Sequence, residues 1–293
     1  MSDIEKKIGT SYDQLPYHSV AFTQSAPEHL HAVAHLFGVQ APDPETARVL
    51  ELGCAAGGNL LPFAVRNPRA SALGVDLSEI QVESGKSLIA DLKLSNIELR
   101  RMSIADIGPK LGRFDYIICH GVYSWVPEDV QDAILRVCKE NLNDNGVAYV
   151  SYNTYPGWKA KEVIRDAMIL RGGARDSASE KLGYARGMID FLHDHARPGS
   201  VLKQTLDDNI ATIRNGPEYY LHHEFLELCN SPCYFREFAA KAKAQGLSYL
   251  AESGVMEMFA SNYGESASGP LLRECTDQES LEQMLDFLNN RSF

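Results

Sequence analysis

Arg48-Val49-Leu50-Glu51-Leu52-Gly53-Cys54-Ala55-Ala56-Gly57-Gly58-Asn59 is the stretch whose reading decides the fold. It begins as an apolar run of strand length, narrows to small residues and glycines, and ends where a helix can start. A buried strand that runs into a tight glycine turn and then a helix lets a parallel sheet bring a ligand against its own backbone. Glu51 is the informative departure. A carboxylate at the end of a buried strand costs free energy unless a cation meets it.

Outward from this stretch, strand and helix signals alternate. Residues 49–53, 72–77, 97–102, 115–120 and 147–152 read as strands, and 59–66, 78–92 and 127–142 as helices. Ser78-Glu-Ile-Gln81 has the spacing of a capping box, and Pro62 is tolerated in a first helical turn. Repeated βα units with apolar strands predict an α/β fold with a doubly wound, mostly parallel, Rossmann-like sheet. Residues 1–24, with aromatics at Tyr12, Tyr17 and Phe22, read as an arm that packs on the domain rather than an element of its own, and Ser25 as the cap of a helix over 26–37. Beyond the fifth strand only helical periodicity appears, at 160–170, 179–195, 201–214 and 218–229, which predicts a helical insertion or lid. A helix over 232–245, a strand over 247–251, a loop over 261–270 and a helix over 277–290 follow. The expected division is an N-terminal arm and helix (1–45), a core (46–157), the insertion (158–231) and a return to the core with a C-terminal helix (232–293).

Composition sets bounds. Hydrophobic residues make up 44% and charged residues 23%, as in an ordinary globular protein with a sizeable core. The formal net charge of −11 argues against a chain that holds a nucleic acid over a wide surface. No run approaches the roughly 20 apolar residues of a membrane span. No apolar run follows the N-terminal charges, so no signal peptide is visible and a cytoplasmic protein is expected. The six cysteines form no CxxC pair and read as reduced thiols. His222-His223-Glu224 matches no zinc spacing, so no metal is expected; His223 and Glu224 could instead reach the site from the insertion.

Two cofactor classes fit the small residues after the first strand. Gly53-x-Ala55-x-x-Gly58 is a degraded dinucleotide fingerprint, and Glu51-x-Gly53-x-Ala55-x-Gly57 a methyltransferase-like one. Charge separates them. A dinucleotide brings a pyrophosphate to the helix N-terminus, where an acid repels it. S-adenosylmethionine (SAM) brings a sulfonium and an ammonium group, both of which suit Glu51. Asp76 ends the second strand and can accept both ribose hydroxyls. Asp106, after the third, could accept from an adenine amino group, with Ile107 against the ring. Each acid alone could equally be a solvated loop residue or a helix cap. Three at successive strand ends would line one sheet edge.

The runs Val49-Leu-Glu-Leu-Gly-Cys-Ala-Ala-Gly-Gly-Asn59, Gly74-Val-Asp-Leu-Ser78, Phe114-Asp-Tyr-Ile-Ile118 and Gly146-Val-Ala-Tyr-Val150 resemble the class I SAM-dependent methyltransferases. His120-Gly-Val-Tyr-Ser-Trp-Val-Pro127 and Ser151-Tyr-Asn-Thr-Tyr-Pro-Gly-Trp158 resemble, more narrowly, bacterial methyltransferases with a methyltransferase regulatory domain. That group includes lysine methyltransferases acting on outer-membrane proteins. The resemblance implies that Glu51, Gly53, Ala55 and Gly57 hold the methionine part of SAM, Asp76 the ribose, and Asp106 with Ile107 the adenine. It places His120 and Gly121 beside the methyl group; Asn59, Leu77 and Gln81 complete the expected cofactor set. Glycine is usual at position 55, and a Cβ there is tolerable if φ is negative. The family sheet usually has seven strands, the last antiparallel; here that strand is expected to be missing.

Methyl transfer from a sulfonium is an in-line displacement, with the nucleophile about 3 Å from the methyl carbon. A lysine ammonium must first lose a proton, and a dry aromatic pocket lowers its pKa. Tyr123, Trp125, Asn153, Tyr155 and Trp158 could build such a pocket, with Asn153 or a tyrosine hydroxyl aiming the nitrogen. The two tryptophans could equally anchor the insertion by packing. His120 is the residue best placed to take a proton, unless it is a satisfied buried histidine. Three readings stay open: a methyltransferase acting on protein lysine, one acting on a small molecule, and a SAM-binding module without turnover. A nicotinamide dehydrogenase is disfavoured by Glu51.

Overall fold

A computed structural model of the chain describes residues 2–175 and 177–293. Strands β1 (Arg48–Leu52), β2 (Ser71–Asp76), β3 (Ile97–Arg101), β4 (Phe114–Cys119) and β5 (Leu142–Val150) form one sheet in the order β3-β2-β1-β4-β5. Every pairing is parallel. The stretch around Glu51 supplies the central strand. Val49, Leu50 and Leu52 have no solvent exposure, because helices cover both faces of the sheet. On one face, α2 (Pro27–Leu36), α3 (Leu60–Arg66) and α4 (Glu79–Asp91) pack on Val49, Ala72, Leu99, Tyr116 and Ile118. On the other, α5 (Glu128–Asn141) packs on Leu50, Leu73, Val75, Ile117 and Cys119.

After β5, helices α6 (Trp158–Gly172), α7 (Ala178–His195), α8 (Val201–Asn215) and α9 (Glu218–Phe225) enclose a core of their own around Ile164, Met168, Ile189, Leu206 and Leu221. Then come α10 (Phe235–Ala244), α11 (Glu265–Glu274) and α12 (Gln278–Asn289). Thr154 N donates to Ser292 O at 3.1 Å and Gly157 N to Arg291 O at 2.8 Å, so the segment after α12 lies along the loop that follows β5. Among the described residues, no helix is long and apolar enough to cross a membrane.

Several expectations need correction. Residues 1–24 carry a helix, α1 (Asp3–Gln14), started by a reciprocal capping box between Ser2 and Glu5. Ser25 caps nothing; its hydroxyl donates to Phe22 O, and Pro27 opens α2. Ser78 does cap α4 from its hydroxyl, but the Gln81 amide donates to Tyr17 O instead of closing the box. β5 starts at Leu142 rather than 147, with Leu142 opposite Phe114 and Val147 opposite Tyr116; the Asn145-Gly146 turn is absorbed as an irregularity in the strand. Residues 247–251 form no strand. Leu247 packs on one face of the sheet and Leu250 on the other, so the segment crosses the sheet instead of running along an edge. Residues 261–270 include the start of α11, with Pro270 inside it. There, burial of Leu271 against Leu281 and Leu285 overrides the loop-like composition. The span 255–263 holds only short 3-10 turns, and among the described residues the sheet has no sixth or seventh strand.

Candidate active site

Alternation along parallel strands decides which side chains meet. Val49 and Glu51, Ala72 and Asp76, Ile118 and His120 have equal parity on their strands, so the two acids and the histidine share one face at the C-terminal edge. A cavity of about 410 Å³ opens there. That lies inside the range of roughly 300–1,000 Å³ common for small-molecule sites. Its floor is the turn after β1, the end of β2 and the end of β4. The N-terminal arm, the insertion helices and Ser292-Phe293 wall it.

Glu51 is 4% exposed. Its Oε1 accepts from Asn59 Nδ2 at 2.8 Å, while its Oε2 is buried without a hydrogen-bond partner. Burial pushes the carboxyl up to about 8; the Asn59 hydrogen bond opposes this and the nearby Asp76 adds to it. Asp76 is raised too, chiefly by burial, although Ala55 N and Ser78 N each donate to it at 2.8 Å. Gly53 adopts φ +73°, and a Cβ there would lie 2.4 Å from Val122 Cγ2, so the turn requires glycine at that position. Ala55 also has positive φ, at +48°, so the condition under which a Cβ is readily tolerated there is not met. Its N–H bond to Asp76 is what the left-handed conformation provides, at a cost of roughly 1–2 kcal/mol.

Asn59 links this floor to the arm. Its Nδ2 also donates to Ser25 Oγ at 3.1 Å, and its Oδ1 accepts from Phe22 N at 2.9 Å. Gly58 N donates to Ser19 Oγ at 2.8 Å. His120 sits between Phe22 (ring centroids 3.9 Å apart) and Phe293 (5.6 Å), with Nδ1 3.2 Å from Tyr149 Oη and 3.1 Å from Ser151 Oγ. Burial pushes its pKa down to about 4. It is therefore a neutral imidazole near pH 7, suited to accept or give a hydrogen bond and poorly suited to hold a proton.

Glu51, Gly53, Ala55, Asn59, Asp76, Leu77, Gln81, His120, Gly121 and Asn153 all line the cavity. Asn153 directs Nδ2 to Asn230 Oδ1 at 3.0 Å. Five expected residues lie elsewhere. Gly57 packs on Leu99 behind the floor. Asp106 is exposed in a 3-10 turn, and Ile107 is 2% exposed in the core beneath α5. Met102 and Ile104 take that part of the wall. Tyr123 turns inward between Tyr152 and Phe238, leaving its turn-mate Trp125 to face the cavity. Tyr155 donates its hydroxyl to Glu162.

Sequence reading missed the arm as a wall. Ile8, Tyr12, Tyr17 and Phe22 all reach the cavity. The signal was present in the Ser2…Glu5 cap spacing. Tyr12 stacks on His223 with ring centroids 4.2 Å apart, clamping the arm to α9. His223 Nε2 lies 2.6 Å from Leu15 O, which can only accept, so Nε2 carries a proton. Its Nδ1 lies 2.5 Å from Glu227 Oε1, and both side chains are buried. Burial alone would raise Glu227; the His223 hydrogen bond overrides it and holds the carboxyl below its ordinary value. No group of metal-ligating side chains is found among the described residues, and all six cysteines are free thiols.

Residues 50–148 match a methyltransferase domain, and residues 217–293 match a predicted methyltransferase regulatory domain. The uncharacterized protein RP028 of Rickettsia prowazekii is 39% identical over 248 residues, which cover 84% of this chain and 99% of that protein. The chain belongs to the SAM-dependent methyltransferases that carry this regulatory domain. Its methyltransferase core is the five-stranded sheet, and the regulatory match starts at α9, within the helical insertion. A second R. prowazekii relative, the uncharacterized protein RP789, is 40% identical over 283 residues. The structure of PKMT2 from Rickettsia typhi in complex with AdoHcy is 40% identical, covers 94% of this chain and superposes with a TM-score of 0.84. The chain spans about half the length of both, 51% of RP789 and 53% of PKMT2.

Proposed function

We propose that this chain transfers a methyl group from SAM to the ε-nitrogen of a protein lysine. The observation that carries the cofactor half is the buried, unpartnered Oε2 of Glu51 on the cavity floor. A lone carboxylate oxygen in such a place is unfavourable until a cationic group reaches it. When bound, SAM supplies an electrophilic methyl group on a cationic sulfur. Glu51 would meet the cationic methionine end. Asp76 would accept from the ribose, since its backbone hydrogen bonds fix its orientation. Met102 and Ile104, which line the cavity where Asp106 and Ile107 do not, would cover the adenine.

The acceptor half rests on the far wall. Phe22 and Trp125 line the same cavity as His120 and Asn153. An apolar, aromatic wall disfavours an ammonium charge and so favours the neutral amine with its lone pair. Asn153 has its Nδ2 engaged, which leaves its amide oxygen to accept an N–H and aim the nitrogen. His120, neutral and held by Tyr149 and Ser151, would position rather than deprotonate. Kinship with PKMT2 supports a protein acceptor.

Incubation with methyl-labelled SAM and bacterial lysate tests the reading. Label in protein bands, recovered as methyl-lysine after hydrolysis, is expected. Label confined to extractable metabolites would move the acceptor to a small molecule, and tight SAM binding with no transferred label would make the chain a binding module.

A further inference from the structure

Across the cavity from the sheet, α6 and α9 hold a lysine in an unusual setting. Lys161 Nζ lies 3.2 Å from Glu224 Oε1 and 5.1 Å from the centroid of the Trp158 ring, and all three residues line the cavity. Tyr220, also on the wall, lies against the same carboxylate. The pair differs from the other lysine ion pairs among the described residues. Side-chain exposure is 28% for Lys161 and 16% for Glu224, whereas the carboxylates paired with Lys6, Lys86, Lys159, Lys203 and Lys241 are 32–91% exposed. A solvated pair of that ordinary kind contributes little. A half-buried one facing an indole instead makes a site for an alkyl-ammonium: carboxylate on one side, aromatic face on another, aliphatic stem along the wall.

We propose that Glu224 and Trp158 form the subsite that receives the acceptor's alkyl-ammonium group, and that Lys161 occupies this subsite until the acceptor displaces it. The subsite deepens the lysine-methylation reading and rests on it. The cation arrives as ammonium, exchanges with Lys161 at Glu224, and is held at the cavity wall. Lys161 thus acts as an internal competitor. It discriminates against weak or neutral acceptors and keeps Glu224 paired when no substrate is present.

The probe is n-butylammonium, with n-butanol as its uncharged counterpart, titrated into the full chain with AdoHcy present and followed by calorimetry or ligand-observed NMR. Lys161→Met should bind n-butylammonium at least fivefold more tightly than wild type and n-butanol no more tightly. The double variant Lys161→Met/Glu224→Gln should lose that gain. Melting curves establish that each variant is folded, and Lys161→Gln serves as a second release variant should Lys161→Met prove unstable. Equal n-butylammonium affinity in wild type and release variants, or an equal gain for n-butanol, overturns the proposal. Failure of wild type to bind SAM in a separate titration overturns the methyltransferase reading instead, so the two failures are distinguishable.

Discussion

Burial holds the Glu51 carboxyl near a pKa of 8, so near pH 7 the ligand-free protein carries it mostly protonated. A cation bound to it requires the carboxylate, so SAM binding releases a proton. Calorimetry should therefore show SAM affinity weakening as the pH falls from about 8.5 to 6, with proton release visible as a dependence on buffer ionisation heat. Glu51→Gln should weaken SAM by roughly 1–3 kcal/mol at pH 8.5, the range for charged hydrogen bonds, and flatten the pH profile. Unchanged affinity would remove Glu51 from the role. Four residues on, Ala55 holds φ +48°. Ala55→Gly relieves that conformation but adds chain entropy to the unfolded state. Its net effect should be a gain of up to about 1 kcal/mol in denaturant unfolding, with SAM affinity retained.

At the level of elements, the junction between α1 and α9 holds the arm over the cavity through Tyr12, His223 and Glu227. His223→Ala leaves the Glu227 carboxylate buried with Ser11 as its remaining donor. Breaking a buried pair from one side costs about 3–5 kcal/mol, which should appear as a large fall in unfolding free energy. Limited proteolysis should cut the arm within 15–25 in this variant and spare it in wild type. Elements built from local pattern were legible in sequence: the apolar strands, the glycine turn and the helical block after β5. Elements whose form depends on a distant partner were not. Leu247 and Leu250 look like a strand until the two faces they serve are known. Residues 265–274 look like a loop until Leu271 finds Leu281 and Leu285. The same division runs through the site. Glu51, Asp76 and His120 could be placed from strand ends, because parity and register follow from the sheet. Tyr12 and Lys161 come from outside the sheet, and only tertiary packing brings them to it, whereas the insertion sequence already offers His223 and Glu224 as residues able to reach the site.

For the molecule as a whole, buried acids set an unusual dependence of stability on pH. Around Arg291 gather Glu252 (3.3 Å), Glu257 (2.8 Å) and Asp286 (3.0 Å). Burial raises Glu252, and it pushes Glu282 and Asp286 to about 7; Arg291 opposes each shift, and neighbouring carboxylates reinforce it. Glu51 and Asp76 add a fourth and a fifth raised acid. An acid whose pKa is higher folded than unfolded binds more protons in the folded state, so its contribution is full at low pH and is lost as pH rises through the folded value. Between about pH 4.5 and 8 these groups together make the ligand-free protein less stable as pH increases. Lowered acids such as Glu5 and Glu227 act the other way, below their ordinary range. Scanning calorimetry should give a higher midpoint at pH 5.5 than at pH 8.5. Arg291→Ala should steepen the fall, and a flat profile would count against the raised carboxyls.

The two tryptophans of the chain, Trp125 and Trp158, both stand on the cavity wall, 6.0 Å apart and edge to face. Indole emission from the native protein therefore originates entirely at the proposed acceptor wall, without background from elsewhere in the molecule. Excited at the red edge of the absorption band, where tyrosine is silent, it offers a label-free optical readout of anything that enters, dries or rearranges this side of the site. Stopped-flow spectroscopy on the unmodified chain could thus time acceptor arrival separately from methyl transfer.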